Sequence, residues 1–249
     1  MERAALPRRL TWQLGTVVEL VEETARTKSI ALELPDWSGH RAGQHVDVRL
    51  TAEDGYQAQR SYSIASASQD ASVVITVERL EDGEVSPYLV DELRVGDSLE
   101  LRGPIGGYFV WEASLGGPLQ LLAGGSGVVP LRAMLRHHRI VESTVPARLL
   151  YSARALADVI YRDELMSNTF GDSVDIRFTL TREQPEEWRG YARRIDVELL
   201  GQVAWPPSER PLVYVCGPTA FVETAASSLV ALGHEPGRIR TERFGPTGG

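Results

Sequence analysis

The chain has 249 residues, a formal net charge of −8 and a composition that is 43% hydrophobic and 24% charged, as in ordinary globular proteins. This length predicts one or two domains, and the acidic balance argues against nucleic acid as a partner, because nucleic-acid binding requires a basic surface. The single cysteine, Cys216, excludes an intrachain disulfide and any zinc or iron–sulfur site held by several cysteines of this chain. It also favours a reducing, cytoplasmic compartment. No stretch approaches the roughly 18 apolar residues of a membrane span, and the N-terminus lacks the apolar region of a secretory signal.

The first part of the chain has the pattern of short β-strands. In 45–50, for example, Val46, Val48 and Leu50 alternate with polar residues and so share one face. We predict strands at 14–21, 27–34, 45–50, 60–66, 72–77 and 98–102. A short helix is predicted over 86–92, with Ser86 as its N-cap and Pro87 as its first residue. Strands at this regular spacing predict an antiparallel barrel or sandwich.

The pattern changes within 112–118, where Gly116, Gly117 and Pro118 follow one another. We place the domain boundary there, giving domains of residues 1–112 and 113–249. In the second domain we predict strands at 119–123, 148–152, 174–181, 212–216 and 239–244, and helices at 128–141, 160–168, 195–200 and 220–232. Alternating helices and largely apolar strands predict a parallel sheet covered on both faces.

A glycine-rich loop, Gly124-Gly125-Ser126-Gly127, lies between a predicted buried strand and a predicted helix. Glycines allow a tight turn and a close approach to a pyrophosphate, and the helix N-terminus offers free N–H groups. The loop departs from G-x-G-x-x-G, because Pro130 stands in the place of the third glycine. A tight turn without a ligand would have the same pattern.

The segment 60–66 combines three chemical groups that suit a planar, phosphorylated cofactor. Arg60 offers a guanidinium for phosphate, Tyr62 a ring for stacking and Ser63 a hydroxyl for hydrogen bonding. On a strand, Arg60 and Tyr62 would share one face and Ser63 would lie on the other. An ordinary barrel strand is an equally good interpretation of the spacing.

Three further features have both a functional and a plain interpretation. Gly83-Glu84-Val85-Ser86 is a second anion site or a simple helix start. Cys216-Gly217-Pro218 ends a buried strand, where ligands of α/β sheets bind, although a lone cysteine is often only a small core residue. His137 and His138 are interpreted as a surface pair rather than as a metal site.

Five motifs occur here in one order: Arg60-x-Tyr62-Ser63, Gly83-x-x-Ser86, Gly103 to Phe109, Gly124 to Pro130, and Cys216-Gly217-Pro218. That order resembles the ferredoxin–NADP reductase superfamily of flavoproteins, over nearly the whole chain. The resemblance implies an antiparallel six-stranded flavin-binding barrel followed by a parallel-sheet nucleotide-binding domain. The closing segment from Thr241 to Pro246 resembles that of bacterial reductases that supply oxygenases or ferredoxins.

The resemblance also implies FAD and a nicotinamide nucleotide as cofactors. For FAD, it implies that Arg60 and the backbone at Gly83, Val85 and Ser86 bind the pyrophosphate. Tyr62 would stack on the isoalloxazine, and Ser63 would hydrogen-bond near the ring nitrogen that receives the hydride. Val77 and Arg79 would line the ribityl and adenosine side. For the nicotinamide nucleotide, it implies that Gly125 and Gly127 bind the pyrophosphate and that Cys216, followed by Gly217 and Pro218, lies beside the reacting carbon. Glu242, as a proton relay, and Phe244, as a lid, would cover the other face of the flavin.

The choice between NADPH and NADH rests on the end of the predicted strand 148–152. Ser152 and Arg154 there, with Arg182 as a further cation, favour the 2′-phosphate of NADPH, whereas an acidic residue would favour NADH. Asp158 lies nearby and weakens this preference. Arg154 as a simple surface charge stays an alternative, and NADH stays an alternative substrate.

The implied reaction takes a hydride from NADPH onto FAD and passes single electrons to a separate ferredoxin or oxygenase component. A non-catalytic flavin-binding regulatory subunit and a stand-alone ferric or flavin reductase are the alternatives. Because the net charge would repel an acidic ferredoxin, docking would need a local basic patch, for which Arg8, Arg9, Arg41 and Arg243 are the candidates.

Overall fold

The computed structural model describes residues 10–167 and 169–245. Its strands are β1 Trp12–Thr24, β2 Thr27–Glu33, β3 His45–Thr51, β4 Gln57–Ser63, β5 Val73–Glu78, β6 Ser98–Ile105, β7 Leu119–Gly124, β8 Ala147–Ala153, β9 Val174–Leu180, β10 Leu212–Pro218 and β11 Ile239–Phe244. Its α-helices are α1 Val128–Ile140, α2 Arg162–Met166, α3 Val197–Val203 and α4 Thr219–Ala231. A short π-helix covers Tyr88–Glu92.

The first six strands form one antiparallel sheet in the order β4-β3-β6-β1-β2-β5. An antiparallel bridge between Ile64 and Ile75 brings the two ends of this sheet together, so the sheet curls into a barrel. Its interior is filled by fully buried aliphatic side chains such as Ile30, Val46 and Leu101. The predicted six-stranded antiparallel barrel is thereby confirmed.

The last five strands form a parallel sheet in the order β11-β10-β7-β8-β9. One face packs against α1 through residues such as Leu121 and Met134, and the other against α3 and α4 through Val213 and Leu199. The predicted parallel sheet with helices on both faces is confirmed. The predicted boundary between 112 and 113 falls between β6 and β7, and it stays a prediction.

Two elements differ from the sequence prediction for reasons of backbone geometry. The strand predicted at 60–66 is Gln57–Ser63, because pairing with β3 begins at Gln57 opposite Thr51 and ends at Ser63. The helix predicted at 160–168 is shortened to α2, since Tyr161 has a left-handed backbone (φ 57°) that a continuous helix excludes.

Two side-chain predictions are wrong. Ser86 does not cap the short helix, because its Oγ accepts a hydrogen bond of 3.0 Å from the backbone N–H of Leu80. His137 and His138 are not a surface pair: His138 is buried, its Nε2 donates to the Val145 carbonyl at 2.6 Å, and its ring stacks on Trp111. Among the described helices, none is both long and apolar enough to cross a bilayer.

Candidate active site

Cys216 lies near the carboxyl end of β10, an inner strand of the parallel sheet between β11 and β7. It is in register with Ala123 of β7 on one side and with Glu242 of β11 on the other. Burial, with a smaller effect of the Glu242 carboxylate, raises the pKa of the Cys216 thiol well above its ordinary value. The thiol is therefore neutral at physiological pH, so it suits contact with a substrate better than nucleophilic attack.

The glycine loop before α1 is built for a close backbone approach. A Cβ on Gly127 would lie 2.1 Å from the Cys216 carbonyl oxygen, so only glycine fits there. Gly125 has a positive φ of 54°, and above it only Glu78 Oε2 would come within 4.0 Å of a Cβ. No side chain caps α1 or the turn of 3-10 helix, Gly125–Gly127, that precedes it, and the Val128 N–H already donates to the Gly125 carbonyl. An anion would therefore bind at the glycine turn itself rather than at the first N–H of α1. The loop thus fits the pyrophosphate of a dinucleotide.

Two other glycines at this edge of the sheet have a packing role. A Cβ on Gly124 or on Gly217 would lie 2.8 Å from the ring of Phe221 on α4. Gly217, predicted to contact the nucleotide, is thus already required by this aromatic ring. Pro218, which follows it, is exposed, and it pairs in register with half-buried Phe244 at the end of β11.

Ser63 ends β4 and lies directly opposite His45 of β3 in the ladder. The neighbouring Tyr62 is half-buried against the barrel core, and burial raises the pKa of its phenol well above the ordinary value. The Tyr62 phenol is therefore neutral at physiological pH.

His45 and Glu242 connect β3 of the barrel with β11 of the parallel sheet. His45 Nδ1 lies 4.0 Å from Glu242 Oε1, and Glu242 Oε2 is buried without a hydrogen-bond partner among the described residues. Burial raises the pKa of Glu242 to about 7 and lowers the pKa of His45. The orphaned oxygen points to a polar group that completes the site when it binds. His45 lies opposite Ser63 and Glu242 lies beside Cys216, so the contact between His45 and Glu242 brings these two strand ends together.

His45 is a residue of the candidate site that the sequence patterns did not indicate. Its place at the start of a predicted strand was visible in the sequence, but its neighbours were not. Antiparallel register decides that it faces Ser63, and domain packing decides that it faces Glu242.

Arg60, predicted for the FAD pyrophosphate, and Arg79, predicted for the ribityl and adenosine side, are each paired with an acidic residue. Arg60 donates to Glu84 at 2.6 Å, and Arg79 donates to Asp91 at 2.7 Å. Arg60 therefore already holds one anionic group, and a pyrophosphate would bring the same sign of charge. A Cβ on Gly83 would lie 2.8 Å from Ser86 Oγ, so glycine is needed for the turn itself.

Val77 and Val85 need a correction of detail. Both side chains are fully buried in the barrel core, at 0% and 1% exposure. Only their backbone atoms are left to contact a cofactor. Ser86 is also buried, with its hydroxyl oxygen bonded to Leu80.

The residues predicted to select the nucleotide converge at the ends of β8 and β9. The backbone N–H groups of Arg182 and Glu183 donate to the Arg154 carbonyl at 2.9 and 3.1 Å, while Ser152 is half-buried in β8. Arg154 and Arg182 are exposed, and neither has an ion-pair partner in the part of the chain that the structure describes. Asp158 Oδ2 accepts from the Ala155 N–H at 3.1 Å, so its carboxylate closes a local turn.

Of the four arginines predicted for docking, two form ion pairs with glutamates and two lie outside the described residues. Arg41 lies 3.4 Å from Glu112, and Arg243 lies 2.6 Å from Glu223. Arg8 and Arg9 fall outside the described residues. No group of His, Cys, Asp and Glu within the described ranges is arranged to hold a metal ion.

Comparison with known families matches both domains. The model described as "Oxidoreductase FAD-binding domain" matches residues 15–110, and the model described as "Oxidoreductase NAD-binding domain" matches residues 121–227. The chain belongs to the ferredoxin–NADP reductase superfamily. The resemblance seen in the sequence is thereby confirmed, and FAD and a nicotinamide nucleotide are the cofactors of these domains.

The chain is similar to reductase components of monooxygenases. It is 32% identical over 248 residues to the glycine betaine monooxygenase reductase subunit of Chromohalobacter salexigens, covering 95% of this chain and 66% of that protein. It is 27% identical to the ferredoxin reductase component of 3-ketosteroid-9-alpha-monooxygenase of Mycobacterium tuberculosis, covering 92% and 64%. The chain thus spans slightly less than two thirds of the length of these relatives.

A solved structure agrees with the fold over almost the full chain. It is the FAD/NAD-binding domain of nitric oxide dioxygenase from Vibrio cholerae, with a TM-score of 0.83 and 26% identity. The match covers 94% of this chain and 99% of that domain.

Proposed function

We propose that this reductase takes a hydride from NADPH onto bound FAD and passes the electrons singly to a separate acceptor protein. The observation that carries the proposal is the contact between His45 and Glu242, which brings the Ser63 end of β4 towards the Cys216 end of β10, beside a glycine cradle for a dinucleotide. FAD, when bound, accepts two electrons together and releases them one at a time. We place the reaction in the cytoplasm, because the single cysteine is a free thiol.

Each residue of the site then has a positional or proton-handling task. Arg60 and the backbone at Gly83 hold the FAD phosphates, and Tyr62 packs against the flavin ring. Ser63 donates a hydrogen bond near the atom that receives the hydride. Cys216 fills the space beside the nicotinamide and orients it, because small displacements of the reacting atoms cost large factors in rate.

Glu242 and His45 supply a proton near the flavin. With a pKa of about 7, Glu242 exists in both protonation states at physiological pH. His45, 4.0 Å away, connects it to the Ser63 strand. Phe244, two positions further along β11, covers the site edge.

NADPH is the proposed electron donor because Arg154, just after β8, and Arg182, just after β9, have no ion-pair partner among the described residues. Arg154 and Arg182 are adjacent through the backbone bonds described above, and together they offer a doubly cationic site for a 2′-phosphate. Asp158, the residue that would favour a free ribose, is held by its own turn.

The proposed acceptor is a ferredoxin or an oxygenase component. The relatives named above are reductase components of monooxygenases, and one is termed a ferredoxin reductase component. Within the described residues there is no metal-ligand cluster that could carry single electrons onward.

The test starts with purified protein. We expect a yellow protein that releases FAD on heating, identified by chromatography, and that NADPH bleaches without oxygen. Cytochrome c reduction should rise strongly on addition of a ferredoxin and fall with salt. A colourless protein would contradict the proposal, and FMN in place of FAD would refute the cofactor assignment. Full turnover with free flavin or ferric chelates, unaffected by ferredoxin, would identify a stand-alone reductase instead.

A further inference from the structure

A polar cluster of buried and half-buried side chains joins the two domains next to the candidate active site, and the proposed reaction gives it no role. We call it the interdomain latch. It consists of Thr76 and Asp70 on the barrel side and of Arg132, Arg136, Tyr161 and Glu164 on the nucleotide-domain side.

Arg132 is the centre of the latch. Its Nη1 donates to the Ala65 carbonyl at 3.1 Å, its Nε donates to Glu164 at 2.7 Å, and its guanidinium lies 4.3 Å from the ring centroid of Tyr161. Only 13% of the side chain is exposed. A planar guanidinium can satisfy all three partners at once, which a lysine cannot.

The sequence positions of these contacts explain why they matter. Ala65 lies two residues beyond Ser63, the last residue of β4, and Arg132 lies on α1, which begins directly after Gly127. The Arg132 guanidinium therefore connects the segment that follows Ser63 with α1, the helix that follows the glycine loop.

Tyr161 forms the second connection. Its hydroxyl hydrogen-bonds to Thr76 Oγ1, which bonds to Ser29 Oγ at 2.8 Å, and Ser29 Oγ donates to Glu23 at 2.6 Å. Since the carboxylate only accepts, the chain of donors runs from Tyr161 through Thr76 and Ser29 to Glu23. Tyr161 also keeps a left-handed backbone (φ 57°), which is unfavourable for a residue with a Cβ, so packing between the domains must hold it.

Arg136 fixes the loop that follows β4. Its Nη2 donates to Asp70 Oδ2 at 3.1 Å, and the same carboxylate oxygen accepts from the Ala67 N–H at 2.8 Å. The segment 65–70 is thus attached to α1 at both of its ends, through Arg132 and Arg136.

We propose that Arg132 and Tyr161 are positioning residues that set the separation between the Ser63 end of β4 and the Gly127–Cys216 edge of the nucleotide sheet. This rests on the proposed function, since that separation governs hydride transfer from NADPH to FAD. Neither residue belongs to the groups assigned to either cofactor. Loosening the latch therefore slows the transfer while each domain keeps its own cofactor affinity.

The test uses holoprotein variants with a matched control. Arg132→Met removes the three contacts, Arg132→Lys keeps only the charge, and Tyr161→Phe removes only the hydroxyl. Arg139→Met is the control, because Arg139 lies on the same helix but donates to Thr169 within its own domain. We expect stopped-flow flavin reduction at saturating NADPH to fall about tenfold in Arg132→Met and about threefold in Tyr161→Phe. The KM for NADPH and the FAD content should stay within twofold, and Arg132→Lys should be intermediate.

Hydrogen–deuterium exchange gives a readout that is independent of turnover. Peptides covering 64–70 and 124–131 should exchange faster in Arg132→Met and Tyr161→Phe than in the wild type, and at the wild-type rate in Arg139→Met. Unchanged exchange, or an equal fall of the reduction rate in Arg139→Met, would overturn the proposal, as would a rate loss that merely follows FAD loss. If NADPH fails to reduce the wild type, the proposed function fails, while the exchange comparison still decides whether the latch holds the domains.

Discussion

The imidazole of His45 and the carboxylate of Glu242 face each other across the two domains, with Nδ1 4.0 Å from Oε1. His45 belongs to the barrel ladder opposite Ser63, and Glu242 belongs to the parallel sheet beside Cys216. Both groups are held away from water, which lowers the pKa of one and raises the pKa of the other. Both shifts favour the neutral forms, and with a pKa of about 7 Glu242 is divided between its two protonation states near pH 7, which suits the proposed proton exchange.

Glu242 should make the stability of the protein depend on pH. Its pKa is about 7 in the folded protein against an ordinary value of 4.5, so the folded state binds the extra proton between these values. Stability therefore decreases as pH rises from about 4.5 through 7, and the penalty persists above 7. We expect Glu242→Gln to be more stable than the wild type at pH 8, by on the order of 1–2 kcal/mol, since the carboxylate is partly exposed.

Urea unfolding at pH 8 and pH 5 measures this difference. The gain should shrink towards pH 5, where the wild-type carboxyl is already protonated when folded. A gain of equal size at both pH values would show that Glu242 does not titrate as described.

Replacing Cys216 with serine should slow flavin reduction without loss of FAD. If the thiol orients the nicotinamide, the rate at saturating NADPH falls by about tenfold, which corresponds to about 1.4 kcal/mol of transition-state stabilisation. FAD content should not change, because Cys216 belongs to the nucleotide sheet. Stopped-flow spectroscopy measures the rate, and a change of less than threefold would mean that the thiol only packs. Because its pKa is raised, the thiol should also resist alkylation in the folded protein.

Arg154→Ala should discriminate between the two nicotinamide nucleotides. If the guanidinium binds a 2′-phosphate, the KM for NADPH rises by about tenfold or more while the KM for NADH changes little. Steady-state kinetics with both donors provide the measurement. Arg162→Ala is a suitable control, because Arg162 is an exposed arginine of the same domain that pairs only with the neighbouring Asp163. Equal effects on both nucleotides would refute the assignment.

Gly127→Ala should disrupt the dinucleotide cradle. The new Cβ would lie 2.1 Å from the Cys216 carbonyl oxygen, so the loop or the end of β10 must shift. We expect a large rise in the KM for NADPH and a loss of stability on the order of 1–3 kcal/mol, as for overpacked sites. Gly237→Ala is the matched control, because a Cβ there would meet nothing within 4 Å. Wild-type NADPH affinity in Gly127→Ala would argue against the cradle.

Local sequence patterns were sufficient to predict the strands and helices of both domains. Alternation of apolar residues, as in Val46, Val48 and Leu50, predicted the barrel strands, and apolar runs between helical patterns predicted the parallel sheet. These patterns succeed because they reflect which side chains each strand must bury. Prediction of the ends of elements was weaker, as at Ser63, where cross-strand pairing rather than composition ends the strand.

What only the tertiary structure decided is how distant residues meet. Glycine spacing and strand ends indicated Gly127 and Cys216 from the sequence alone, since backbone turns have local signatures. The approach of Gly127 to the Cys216 carbonyl, of His45 to Glu242 and of Arg132 to Ala65 depends on strand order and domain packing. Such contacts join residues far apart in the chain, and no local periodicity encodes them.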